Sequence, residues 1–264
     1  MQIIKIQGGL GNQMFQYAYG RNLEISGKKV IFDTSFFDGG KAKIDTARNF
    51  KLDKFAIETR SPFLEKRNIS KTYINRIKRR LRLKVEEFFQ SEKYFKGIEE
   101  TIRKEFTLKN PLNDATRGWL EQIKNSRTSV SLHIRRGDYV SEARTNAYHG
   151  VCGLDYYQKA YEVIKTKTNS PLDIFVFSDD IEWVEENLKL PAVMYFVSNS
   201  SIPDYEEMFL MSTCNNHIIA NSSFSWWGAW LDPNPDKIII APKKWFANDR
   251  QSSEEIVPST WIKI

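Results

Sequence analysis

Residues 129–138 read SVSLHIRRGD. The first six alternate small polar and apolar residues, which is strand rather than helix periodicity. Along such a strand His133 and Arg135 share one face and Arg136 takes the other, unless the strand has already ended. Gly137 marks that end. Two adjacent arginines at the end of a buried strand are costly unless something anionic meets them. Their planar forks suit phosphate oxygens, and together they could hold a diphosphate that departs with negative charge. Pairing with Asp138 or another acid is the structural alternative. An acid beside such arginines could also accept the proton of an attacking hydroxyl, so Asp138 is a candidate base.

Working outward, short β-branched runs recur at 3–6, 29–32, 173–178, 217–220 and 237–241, separated mostly by helix-length stretches. That alternation predicts an α/β chain with parallel sheets. From about 40 to 125 the pattern becomes charged and helical. The expected division is an N-terminal domain over 1–125 and a C-terminal one over 126–264, two Rossmann-like domains facing across a cleft. Asp155 with Gln158, Asp179 with Glu182, and Asp204 with Glu207 have capping-box spacing and mark helix starts. Ser178 and Asp179 therefore sit where the run DIFVF ends and a helix begins, the edge at which open parallel sheets bind ligands. In HIIANSSFSWWGAWL, 217–231, Asn221, Ser222 and Ser223 open another helix, a place for an anion or simply a cap. Trp226, Trp227 and Trp230 read as core.

Near the N-terminus GGLGNQMFQYA, 8–18, lies between a strand and a helix. Gly9, Gly11 and the later Asp33 partly fit a dinucleotide fingerprint, which makes a nicotinamide-dependent dehydrogenase a rival reading. Met14 occupies the position where that fingerprint needs a small residue. Asn12 and Gln13 put amides where a pyrophosphate should meet bare backbone. The glycines still let a ligand approach closely, and the amides can donate to it.

Composition bounds the rest. The 264 residues include only Cys152 and Cys214, which suits a reducing compartment and supplies neither a disulfide framework nor zinc spacing. No stretch is apolar enough to span a membrane, and the N-terminus does not read as a secretory signal, so a cytoplasmic location is expected. Residues 66–84 hold nine Lys/Arg and no acid; against a net +6 for the chain, the remainder stands at −3. A single basic patch argues against nucleic acid as the partner. Ile74, Ile77 and Leu81 line one side of it, so peripheral contact with an anionic membrane is a second expectation beside a solvated helix. No D-x-D occurs, so no metal clamp for a sugar nucleotide is expected.

These pieces resemble a family. GGLGNQMFQYA, FFQSEKYF (88–95), VSLHIRRGDYV (130–140), LDYYQKA (154–160), FVFSDD (175–180), DYEEMFLMSTCNNHIIANSSFSWWGAWL (204–231) and APKKWF (241–246) are similar, in order, to the bacterial α-1,2-fucosyltransferases of glycosyltransferase family 11. The resemblance implies a GT-B-type fold, GDP-fucose as donor substrate, inversion at the anomeric carbon, and no cofactor or metal. The acceptor it implies is a terminal β-galactose of a glycan, through its 2-hydroxyl. Carried over, Arg135 and Arg136 hold the diphosphate and His133 lies against the nucleotide. Asn12 reaches the donor from the other domain. Asn221, Ser222, Ser223 and Phe224 line the nucleotide pocket. Related enzymes place an acid before that last strand to read guanine; here the segment is CNNH, so either Asn216 makes the contact or none is made. A non-catalytic GDP-sugar- or glycan-binding protein remains the rival from another class.

Overall fold

The computed structural model describes residues 1–37, 48–64, 88–137, 150–247 and 255–264. The basic segment 66–84 and Asp138 lie outside them. The chain forms two compact units, Met1–Asn110 and Pro111–Ile264. Both are α/β with parallel sheets.

The first unit has a three-stranded sheet in the order β1 (Gln2–Lys5), β2 (Val30–Asp33), β3 (Phe63–Leu64), each pair parallel. Helix α1 (Leu10–Ile25) makes the crossover from β1 to β2. Its inner face buries Met14, Phe15, Tyr17 and Ala18 completely. Tyr17 stacks on Phe32 and Phe63, and its hydroxyl donates to Glu105 at the end of α2 (Glu99–Glu105). Arg21 Nε donates to the same carboxylate at 2.8 Å, so the buried acid is paired.

The second unit opens with α3 (Asp114–Asn125) and continues β4 (Ser129–Ile134), α4 (Leu154–Thr168), β5 (Asp173–Ser178), α5 (Ile181–Asn187), β6 (Val193–Phe196), α6 (Asp204–Ser212), β7 (Asn216–Ile218), α7 (Ser223–Leu231), β8 (Ile239–Ala241) and β9 (Ile262–Lys263). All six strands are parallel, in the order β6-β5-β4-β7-β8-β9. Relabelled from one, that is 3-2-1-4-5-6, the doubly wound order whose direction reverses between β4 and β7. The units meet at 110/111 rather than at 125/126 because α3 docks on α6. Ile123 joins Leu210 and Met211 in one apolar cluster, with Trp119 and Leu120 against it, and Thr116 Oγ1 donates to Glu206.

The strand β4 is buried along its whole length. Val130, Leu132 and Ile134 pack with Tyr157 and Ile164 of α4, while Ser129, Ser131 and His133 alternate toward the opposite face. Trp226 and Trp227 are fully buried in α7, and Trp226 Nε1 donates to Ile256 O. The expected helix starts are present, but the expected acidic caps are not. The N-cap positions fall on Gly153, Asp180 and Pro203, none with a side-chain cap bond. Asp155 and Asp204 sit inside the first turn, where they complement the helix dipole instead.

Candidate active site

The chain reversal between β4 and β7 brings two strand ends together, since Leu132 pairs with Ile218. His133 lies in β4 one residue from its end and Arg135 and Arg136 follow that end; Asn221 to Phe224 follow β7 and enter α7. The ring of His133 lies 5.5 Å from that of Phe224.

Both arginines are held by acids from the neighbouring strand end. The register Ile134↔Ser178 sets Arg135 and Arg136 beside Asp179 and Asp180. Arg135 Nη1 lies 3.0 Å from Asp179 Oδ2, and the backbone N–H of Arg136 donates to Asp179 Oδ1 at 2.8 Å. Arg136 Nε donates to Asp180 Oδ2 at 2.9 Å, and its guanidinium carbon sits 3.3 Å from the centre of the Trp183 ring. Arg136 is held by its inner nitrogen and one face, and neither terminal nitrogen has a partner among the described residues; such a pair can bind two oxygens of one phosphate. Gly137 makes the approach of Asp179 possible, because a Cβ there would fall 2.2 Å from Oδ2.

His133 is 3% exposed, and its Nδ1 has no hydrogen-bond partner among the described residues. Burial first, and then the charge of Arg135, pushes its pKa down to about 3. The imidazole is therefore neutral near pH 7. Ser222 caps α7, its hydroxyl accepting from Phe224 N at 3.3 Å, and Ser223 begins the first turn. The first turn of α7 adds backbone N–H groups at this edge of the sheet, while Asp179 and Asp180 offset the charge of the two guanidiniums. Asn221 serves differently. Its Nδ2 donates to Gly150 O and Trp245 O, closing one wall of a cavity of about 330 Å³ that Tyr156, Lys243 and Lys244 also line.

Other expected site residues are placed away from this cluster or occupied. Asp179 orients arginines. Ser178 accepts from Asp180 N at 3.0 Å and so shapes the turn into α5. Asn216 opens β7 at the amino edge of the sheet, where its Oδ1 accepts from Ile238 N, so the geometry does not join it to the arginines. In the first unit, Gly9 is the N-cap of α1 and Gly11 is buried inside it. Gly8 has the positive φ, 79°. Gln13 is fully buried and spent: it donates to Gly8 O and Asn49 O and accepts from Lys51 N. Asn12 is half-buried and accepts from Gln90. Asp180 and Trp183 escaped the sequence reading. The signal was the pairing of RR with DD across parallel neighbours.

Comparison with known proteins bears on what this cluster serves. The model of glycosyl transferase family 11 matches residues 1–264. An α-1,2-colitosyltransferase of Escherichia coli is 36% identical over 99% of this chain and 98% of its own length. The O-antigen biosynthesis glycosyltransferase WbnK, also of Escherichia coli, is 33% identical over 98% and 99%. Human galactoside α-(1,2)-fucosyltransferase 1 is 28% identical over 56% of this chain and 43% of its own. This removes the dehydrogenase reading, in keeping with a fully buried Met14 behind the glycine turn. A doubly wound sheet whose strand order reverses beside an arginine pair, and a family model matched from the first residue to the last, have one conclusion: the chain belongs to glycosyltransferase family 11.

Proposed function

We propose that the protein transfers L-fucose from GDP-β-L-fucose to the 2-hydroxyl of a terminal β-galactose, giving an α-1,2-fucoside. The observation that carries this reading is the pair Arg135–Arg136, held by Asp179, Asp180 and Trp183, with the terminal nitrogens of Arg136 unpartnered among the described residues. In the reaction the acceptor oxygen bonds to the anomeric carbon from the face opposite the phosphate. The carbon–oxygen bond to phosphate breaks with its electron pair, and GDP leaves carrying the new charge. The guanidiniums stabilise that charge as it grows, which lowers the barrier rather than merely tightening binding. The acceptor's proton goes to Asp138 in this scheme. His133 and Phe224 offer ring faces to the nucleotide, and Asn12 is a further donor contact. No metal is required.

A second reading keeps the chemistry and changes the sugar. The colitosyltransferase relative favours it, because colitose is fucose without its 3-hydroxyl. Incubation with GDP-fucose or GDP-colitose and a panel of β-galactosides, followed by linkage analysis, separates the two. A 2-linked α-fucoside is expected. Binding of GDP without turnover of either donor would instead mark a silent binding protein. Asp138→Asn tests the base: the rate should fall at least ~100-fold with GDP affinity little changed, whereas joint loss of both would assign Asp138 to holding the arginines.

A further inference from the structure

Two blocks that carry the family resemblance, LDYYQKA and APKKWF, have no part in the scheme above. Both meet at the cavity of about 330 Å³ whose wall Asn221 closes, and every residue lining it belongs to the second unit. The first block opens α4 and supplies Asp155 and Tyr156; the second follows the end of β8 and supplies Lys243, Lys244 and Phe246. The cavity therefore lies at the carboxyl edge of the sheet, the edge at which parallel sheets bind ligands. Asn221 directly precedes Ser222, the N-cap of α7, so the cavity adjoins the turn proposed to meet the phosphate.

The walls are fixed from within. Gly150 has φ 68°, the left-handed region that favours glycine, and its carbonyl accepts from Asn221 Nδ2. The hydroxyl of Tyr156 donates to Ile219 O at 2.7 Å, which leaves its ring to face the cavity as apolar surface. Gly153, the N-cap of α4, makes room for the Asp155 carboxylate, because a Cβ there would fall 2.5 Å from Oδ1. Lys159 Nζ holds the other carboxylate oxygen at 3.4 Å. The lining thus combines aromatic rings with a carboxylate and two lysines. A pyranose offers the matching surfaces, apolar C–H faces and a rim of hydroxyls that both donate and accept. A few polar groups in an otherwise apolar wall are what orient such a ligand.

We infer that this cavity takes the pyranose next to the terminal galactose of the acceptor glycan, with Asp155 and Phe246 setting the preference for it. The inference rests on the proposed transfer to galactose. The test uses the full chain and GDP-fucose. Methyl β-galactoside is compared with disaccharides in which β-galactose is linked to glucose, N-acetylglucosamine or N-acetylgalactosamine. The best disaccharide should have the lower KM. Phe246→Ala and Asp155→Asn should each raise that KM roughly 3- to 10-fold, the scale of one lost contact, with the KM values of methyl β-galactoside and GDP-fucose and the melting temperature unchanged. Ala247→Trp fills the cavity from an exposed position on its rim and should act alike, so it carries the test if the Phe246 variant does not fold. Cys152 gives a readout apart from turnover, since it lines the cavity while Cys214 is buried. The best disaccharide should slow its alkylation by a maleimide, and methyl β-galactoside should not. Equal KM values for all four acceptors, variants that leave the disaccharide KM alone, or alkylation that no disaccharide slows would each overturn the inference while the reaction stands. Lack of transfer to any galactoside would overturn the reaction and the inference with it.

Discussion

At the scale of residues, the proposed chemistry depends on how one guanidinium is held. Arg136 meets a carboxylate at Nε and an indole face, so its remaining two nitrogens form a planar fork of fixed direction. Arg136→Lys keeps the charge and loses the fork, and a compact ammonium cannot reproduce two parallel bonds. The transfer rate should fall roughly 10²- to 10³-fold, the scale of one lost transition-state donor. Trp183→Ala keeps the fork and loosens it. A loss of roughly 3- to 30-fold is expected, matching a partly buried cation–π contact, with Trp183→Phe recovering most of it. Rates measured at saturating GDP-fucose decide both, and a normal rate for Arg136→Lys refutes the assignment. The arginines stood out in the sequence as adjacent cations at a strand end, and the structure shows the pairing with acids that was their structural alternative. Their partners did not stand out, because Asp179 and Asp180 are 44 residues away along the chain, at positions that only the β4–β5 register reveals. Asn216 was read as lying before its strand and does open β7, but that its Oδ1 accepts from Ile238 N could not be read from CNNH.

Elements were legible where periodicity and breakers agree. Of the six parallel strands of the second unit, β4, β5, β7 and β8 follow from β-branched runs separated by helix-length stretches, while β6 and β9 were not read. The helix starts followed from acids, although the acids complement dipoles and do not cap. What the sequence hid was close packing. Gly20 lies in α1 where a Cβ would stand 2.3 Å from Cε1 of Phe32, and that ring is stacked between Tyr17 and Phe63 and fully buried. The close helix–strand approach that a dinucleotide fold obtains at its third glycine is obtained here two turns later. Gly20→Ala is favoured by helix propensity, by about 1 kcal/mol. The ring cannot withdraw, so overpacking should win and the net loss should be roughly 1–3 kcal/mol. Urea unfolding measures it; an unchanged or raised midpoint would show that α1 has room to shift.

At the scale of the molecule, two kinds of buried group set the response to acid. His133 and His217 are both held below the ordinary imidazole value, first by burial. His217 remains so although Asp232, 3.0 Å from its Nε2, pulls the other way. The folded chain refuses protons that the unfolded chain takes near pH 6.5, so stability is full above that pH and is lost as the pH falls from there, for His133 toward about 3. Each such histidine should steepen the fall by up to ~1.4 kcal/mol per pH unit. Glu24, lowered by Ser61, Thr59 and Arg21 despite its burial, adds a second loss at pH values below the ordinary carboxylate range. Denaturant midpoints between pH 7 and 5 should therefore drop, and His133→Gln should flatten part of that drop.

In the proposed reaction a diphosphate leaves with growing negative charge, and the molecule's own cations are the groups proposed to meet it. Arg135 and Arg136 end the first strand of the doubly wound sheet, and the first turn of α7 adds backbone N–H groups at the next strand end. Asp179 and Asp180 hold these arginines by Nη1 of one and by the backbone N–H and Nε of the other, so the acids are already spent on cations in the same unit. A divalent ion bound there would have to compete with both guanidiniums for those oxygens. Turnover with GDP-fucose should accordingly persist in excess EDTA and gain little from added Mg²⁺ or Mn²⁺. High salt should slow it, because screening weakens partly exposed guanidinium–phosphate contacts more than buried ones. The arginine variants make the experiment discriminating. If added Mg²⁺ restored Arg136→Lys to the parent rate, a metal could replace the fork, and the reading of Arg136 as the group that stabilises the leaving phosphate would fail.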